Sequence, residues 1–329
     1  MMEFDISVVL FVYDRQEYLE KALESVLRQD FEKSRYEILI ITNFQLNYKY
    51  SDESPRIRHF MMRGTRGEFI RLAIEMCEGN IVCFLDDDDW YAPNKLKEVA
   101  RYFKEYDIGY LHDTPIIVTE DSRHTGPRLP ADVLLRVAPL KKGIFYKLLS
   151  VYADGMMSCI SIKREVLNDV DLNLVTGPDY YLFYSTALKG YNILASPLPL
   201  TYYTVHETSS KLPMNLSDQD IWRKNMVDET LSNYDSLLKM AVRGQCEGNH
   251  LLKRHLLWNS LAFSCNSKLI SMNRDISAKE IFRILLYSNT MKQIIRSTIL
   301  VTGSFMLKFL PSIFQRLFKP EFMRNVGFI

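Results

Sequence analysis

The sequence predicts an α/β fold with a mostly parallel central sheet flanked by helices and a helical appendage at the C-terminal end. Three observations carry this. Short apolar, β-branched runs alternate with amphipathic segments over the first hundred residues. The runs are apolar throughout, as strands covered on both faces are. A block of four aspartates, Asp86 to Asp89, directly follows one such run, where open α/β sheets bind their ligands.

The elements follow in order. "ISVVLFVY" (6–13) is a buried strand. Tyr18, Leu19, Ala22, Leu23, Val26 and Leu27 then recur at helical spacing, with Asp14 positioned to cap that helix. "YEILIIT" (36–42) is a second buried strand, so the chain opens with a β-α-β unit. Residues 43–58 are polar and loop-like, and "IRHFMM" (57–62) is a third strand. "GEFIRLAIEMCEG" (67–79) reads as a helix ended by Gly79. "IVCFL" (81–85) is a fourth strand, and 93–106 a helix with Pro93 in its first turn.

The chain has 329 residues, 47% apolar and 25% charged, a folded globular balance. A net charge of +1 gives no general nucleic-acid-binding surface. The charge is uneven: residues 276–329 hold eight Lys/Arg and two Glu, so the first 275 carry −5. Five cysteines, an odd number without a CxxC pair, read as reduced, buried thiols of a cytoplasmic protein. The N-terminus has acids where a secretory leader needs bases.

Four adjacent carboxylates repel and need a counter-charge. A divalent cation of the Mg²⁺ or Mn²⁺ type, which prefers oxygen ligands, supplies one. One or two of the acids can instead serve structure, Asp89 as a helix cap and Asp87 facing solvent.

Four segments, in order over residues 5–211, resemble the family 2 glycosyltransferases, inverting enzymes of the GT-A fold that use nucleotide-diphosphate sugars. They are "SVVLFVYDRQEYLEKALESVLRQDF" (7–31), "GNIVCFLDDDDWYAPNKL" (79–96), "SCISIKREVLNDVDLNLVTGPDYYLFYSTALKGYNI" (158–193) and "TYYTVHETSSK" (201–211). The second matches the family's DxD strand end. The resemblance implies Asp88 as metal ligand and Asp86 at the ribose or a metal-bound water, with Mn²⁺ or Mg²⁺ as cofactor. Four consecutive acids leave the alternative pair Asp87 and Asp89 open; Asp87 is grouped with the donor-binding residues.

The resemblance further implies Asp179 as the base that takes the acceptor proton, although Pro178 stands where the family commonly has Glu. His206 is implied at the phosphates or the metal, followed by Ser209, Ser210 and Lys211. Val12 and Asp14, Asn43 and Arg71 are implied around the nucleotide and diphosphate. Thr42 and Asn43 replace the usual acids there, and Leu72 replaces an Asn, so a catalytically degenerate nucleotide-sugar-binding protein is the alternative. The implied partners are a nucleotide-diphosphate sugar, UDP-linked by preference, and a glycan or lipid-linked acceptor. Trp90 and Tyr91 suit either sugar stacking or core packing.

The resemblance gives a domain at 1–211 and does not reach the rest; amphipathic patterning and charge give a helical extension at 212–275 and a basic amphipathic tail at 276–329. Within the tail, 292–320 is mostly apolar with basic charges, and its uncharged run 297–307 is too short to span a bilayer. It reads as an interfacial helix on anionic lipid, peripheral to the cytoplasmic membrane face, or as the contact of a homo-oligomer.

Overall fold

The computed structural model describes residues 4–13, 16–46, 55–126, 129–168, 177–205, 216–243, 249–270, 277–288 and 290–309. The chain divides into two compact units, Met1–Pro213 with Cys246–Gly248, and Met214–Gln245 with Asn249–Ile329.

The first unit contains β1 (Ile6–Val12), β2 (Tyr36–Thr42), β3 (Arg56–Met61), β4 (Ile81–Asp86), β5 (Trp90–Tyr91), β6 (Tyr110–Val118), β7 (Arg123–Thr125), β8 (Val133–Leu135), β9 (Ile160–Lys163) and β10 (Ile193–Thr204). They form one sheet in the order β3-β2-β1-β4-β9-β6-β10-β5, with β7 on β6 and β8 on β10. β3, β2, β1 and β4 are mutually parallel. β9 runs antiparallel to both neighbours, and β10 is parallel to β6.

All residues of β1 and β2 are buried. From β1 to β2 the chain steps one way along the sheet through α1 (Gln16–Leu27). From β3 to β4 it steps the other way through α2 (Arg66–Met76). Right-handed crossovers therefore put the two helices on opposite faces. On the first face Leu19, Ala22 and Val26 of α1 join Leu96, Val99 and Tyr102 of α3 (Lys95–Glu105) over Val8, Leu10 and Ile38. The unit also holds α4 (Lys142–Leu148) and α5 (Pro178–Leu188).

Two sequence expectations shift. α2 stops at Met76, because Cys77 is already extended. Gly79 does not cap it. Gly79 lets two backbones meet: a Cβ there would lie 2.5 Å from the Ser7 nitrogen. α3 starts at Lys95 behind Asn94, so Pro93 precedes the helix and Asp89 is not its cap.

The second unit contains α6 (Leu216–Arg243), α7 (Asn249–Ile270), α8 (Ala278–Tyr287) and α9 (Met291–Phe309). Its core includes Trp258, Ala262, Cys265, Ile284, Leu300 and Leu307. Phe282, Leu286, Ile295, Phe305 and Phe309 of α8 and α9 are more than half exposed. Among the described residues no helix is long and apolar enough to cross a membrane. Residues 310–320, the rest of the expected interfacial helix, lie outside the described residues. Cys77, Cys83, Cys159 and Cys265 are buried free thiols; Cys246 lies outside the described residues.

Candidate active site

β4 ends at Asp86, with Phe11 of β1 alongside. The Asp89 N–H donates to the Asp86 carbonyl at 3.2 Å, closing a tight turn. That turn splits the four acids. Asp87 and Asp89 are buried, 2% and 1% exposed, while Asp86 and Asp88 are half-buried.

The inward acids anchor the turn. Asp89 accepts the Ser158 hydroxyl at 2.6 Å and the Thr204 N–H at 2.8 Å. Asp87 accepts the Tyr13 N–H at 3.3 Å. The Ser158 hydroxyl in turn accepts the Asp86 N–H at 3.0 Å, and the Thr204 hydroxyl donates to the Asp88 carbonyl at 2.6 Å. Both ends of the turn are thus tied to distant chain. Of the two registers open in the sequence, this geometry leaves Asp86 and Asp88 as the accessible pair.

Beneath the turn lies a buried ion pair. Lys95 is fully buried, and its ammonium donates to Asp113 at 2.6 Å, the Thr201 hydroxyl at 2.7 Å and the Ser158 carbonyl at 2.8 Å. Three donors meet three acceptors, the condition for holding a charge away from water. The Thr201 hydroxyl also donates to Asp113 at 2.8 Å. Ser158 therefore touches the acid turn with its hydroxyl and the buried lysine with its carbonyl.

Asp179 enters from α5. Gly177, at φ +60°, holds the N-cap position and Pro178 follows, so Asp179 stands inside the first turn and does not cap the helix. Its carboxylate accepts the Tyr180 N–H at 2.9 Å. Burial pushes the Asp179 carboxyl above its ordinary range. The Tyr180 N–H and Arg66 oppose that, and Asp86 adds to it. Burial, with Asp86 and Asp88 adding, pushes Asp89 well up despite its two hydrogen bonds. Burial also pushes the Tyr203 phenol up to about 12, with Asp89, Asp86, Asp88 and Asp179 contributing. These acids share one electrostatic neighbourhood.

Arg66 completes it. Its guanidinium is ion-paired with Asp86. Asp86 above all raises the Arg66 pKa, with smaller contributions from Asp179 and Asp88. Sequence reasoning chose Arg71 instead, which lies on the exposed face of α2 and acts on Glu68. One signal for Arg66 was present: the Thr65–Glu68 capping box starts α2 at residue 66, at the ligand-binding edge of the sheet.

Val12 ends β1 opposite Thr42 of β2, and Asn43 follows at the same edge. The Thr42 hydroxyl donates to the Phe44 carbonyl at 2.5 Å and meets His59 Nε2 at 2.8 Å, a local closure of the loop. Asp14, His206, Ser209, Ser210 and Lys211 lie outside the described residues. Tyr91 is core, its hydroxyl on the Phe84 carbonyl at 2.5 Å. Trp90 stacks on Tyr202 at 5.1 Å and carries the Lys21 ammonium 3.0 Å from its ring centroid.

The central sheet flanked by helices, with the acid turn at the end of β4, has the GT-A fold. The family model described as glycosyl transferase family 2 matches residues 7–171, half of the chain. The chain belongs to glycosyl transferase family 2. It is 25% identical over 147 residues to the poly(ribitol-phosphate) beta-N-acetylglucosaminyltransferase TarS of Staphylococcus aureus, a match covering 42% of this chain and 24% of that protein. It is 23% identical over 203 residues to the Escherichia coli UDP-Glc:alpha-D-GlcNAc-diphosphoundecaprenol beta-1,3-glucosyltransferase WfgD, covering 59% and 74%. The crystal structure of TarS 1–349 with UDP-GlcNAc superposes at a TM-score of 0.61 over 98% of this chain and 92% of that one. At 17% identity this last likeness is one of fold.

Proposed function

We propose that this glycosyltransferase moves a sugar, with inversion, from a UDP-sugar to a hydroxyl of a glycan or lipid-linked acceptor. The observation that carries the reading is the convergence of Asp179 on the accessible pair Asp86 and Asp88, read from their shared influence on Arg66 and Tyr203. The two named relatives support the donor class, since one is named for N-acetylglucosaminyl transfer and the other for UDP-Glc.

Among the described residues no three His, Cys, Asp or Glu side chains gather as a metal site. Two accessible carboxylates fit a Mg²⁺- or Mn²⁺-type ion whose other ligands are substrate phosphates. Asp88 and Asp86 would hold it, with His206 a further candidate. Bound there, the ion would stabilise charge on the departing diphosphate. Arg66 is a second cation at the same place, able to neutralise phosphate oxygens once it leaves Asp86. Asp179 takes the acceptor proton as the new bond forms. Its raised pKa suits a base that must hold that proton. Val12 and Asn43 line the nucleotide edge, and Asn43 offers a base both donor and acceptor.

The test is paired. Asp179→Asn is expected to abolish UDP release from UDP-GlcNAc while calorimetric donor binding stays intact. Asp88→Ala is expected to weaken Mn²⁺-dependent UDP binding. Normal turnover in Asp179→Asn refutes the base, and donor binding without any turnover in the wild type favours a degenerate binding protein.

The exposed Phe282, Leu286, Ile295, Phe305 and Phe309, beside exposed Arg283, support contact of the tail with anionic lipid. Flotation with phosphatidylserine vesicles checks this: equal binding without residues 276–329 refutes it, and a change of oligomeric state on that deletion favours a second copy.

A further inference from the structure

The segment 152–156 reaches Asp179 at Gly155, whose Cβ position lies 3.9 Å from the Asp179 Oδ2. It is tied to β6 from below: the Tyr110 hydroxyl donates to the Ala153 carbonyl at 2.6 Å, and His112 Nε2 meets the Gly155 carbonyl at 2.8 Å. Tyr152 and Met156 bracket it in the left-handed region, at φ 51° and 61°. Side chains rarely adopt that conformation, and strained backbone of this kind gathers at ligand sites. Tyr152 is 72% exposed, and Asp154 is half-buried.

Gly155 is the informative residue. Its φ is not in the left-handed region. A Cβ built on it meets one atom within 4 Å, the Asp179 Oδ2 at 3.9 Å. Neither backbone conformation nor packing requires glycine there. The space a side chain would fill is the space in front of the base.

We propose that residues 152–156 form the acceptor subsite, taking a sugar ring whose reacting end carries hydroxyls and no charge. The proposal rests on the reading of Asp179 as base. Gly155 leaves room for the ring that bears the attacking hydroxyl. Asp154 accepts from a neighbouring hydroxyl, and Tyr152 offers an apolar face to a sugar unit. The acceptor oxygen gives its proton to Asp179 and bonds to the anomeric carbon. The bond from that carbon to the diphosphate oxygen breaks, and its electron pair leaves with the nucleoside diphosphate. Asp179 Oδ2 stands 3.9 Å from the Gly155 Cβ position and Asp154 adjoins Gly155 in the chain, so two acidic residues border this volume. A phosphate or carboxylate on the reacting ring would be repelled there.

The experiment measures UDP release from UDP-GlcNAc with Mn²⁺, alone and with p-nitrophenyl β-glucoside or p-nitrophenyl β-glucuronide. In the wild type the glucoside is expected to raise release about threefold or more over hydrolysis, and the glucuronide to leave it unchanged. Gly155→Val is expected to lose the stimulation while keeping donor affinity and melting temperature. Tyr152→Ala, on an exposed side chain, is expected to raise the glucoside KM about fivefold with hydrolysis unchanged, the worth of one aromatic contact. Stimulation retained in Gly155→Val, equal use of the glucuronide, or no response to the glucoside overturns the subsite. Failure of the base reading looks different: Asp179→Asn would then release UDP as the wild type does.

Discussion

Ser158→Ala is the sharpest probe of how the acid turn is held. Ser158 is fully buried, and its hydroxyl makes two hydrogen bonds to that turn. The bond to the Asp89 carboxylate, at 2.6 Å, is charge-assisted and contributes about 1.5–3 kcal/mol. The bond from the Asp86 N–H, at 3.0 Å, contributes about 1 kcal/mol. Alanine leaves Asp89 buried with the Thr204 N–H still donating to it, so a loss of about 3 kcal/mol is expected. Denaturant unfolding should show a lower midpoint at unchanged slope. The turn carries Asp86 and Asp88 outward, so UDP affinity in Mn²⁺ should fall about tenfold, the cost of misplacing one charge-assisted contact. Ser158→Thr keeps the hydroxyl and should keep the UDP affinity, whatever its added methyl costs in stability. A loss below about 1 kcal/mol with unchanged UDP affinity would show that the turn does not depend on this hydroxyl.

Three further outcomes are expected. Lys95→Met strands Asp113 without its cation and should cost about 3–5 kcal/mol, whereas Lys95→Met with Asp113→Leu should recover most of that in the same unfolding assay. Gly79→Ala forces a Cβ to 2.5 Å from the Ser7 nitrogen and should cost about 1–3 kcal/mol, while Gly143→Ala, with nothing within 4 Å in a helix, should gain up to about 1 kcal/mol. His255 is buried, and burial lowers its pKa to about 4. The unfolded chain therefore binds the extra proton first. Stability is fully present above pH 6.5 and lost as pH falls toward 4, by about 3 kcal/mol. His255→Gln should flatten that acid limb, followed by helical signal against pH.

The half of the sheet built from β1 to β4 was legible because β1, β2 and β4 are short apolar runs and each crossover helix shows its own period. β9 was not: it is four residues long, and its antiparallel place between β4 and β6 depends on partners 48 to 82 positions away. The same distance hid the polar framework. Lys95 reads in sequence as one more surface lysine of an amphipathic helix, and Ser158 as a small residue before a strand. Both are fully buried, because Asp113, Thr201 and Asp89 arrive from remote chain to satisfy them. The four aspartates pose the limit most clearly. As letters they are equivalent, and electrostatics asks only that the block have a counter-charge. The turn at 86–89 makes them unequal by sending alternate carboxylates inward, but a turn does not choose which pair goes in. Ser158 and Thr204 make that choice, by offering a hydroxyl and an N–H to Asp89 from 69 and 115 residues away. Register at such a site is thus set by residues outside the acidic block.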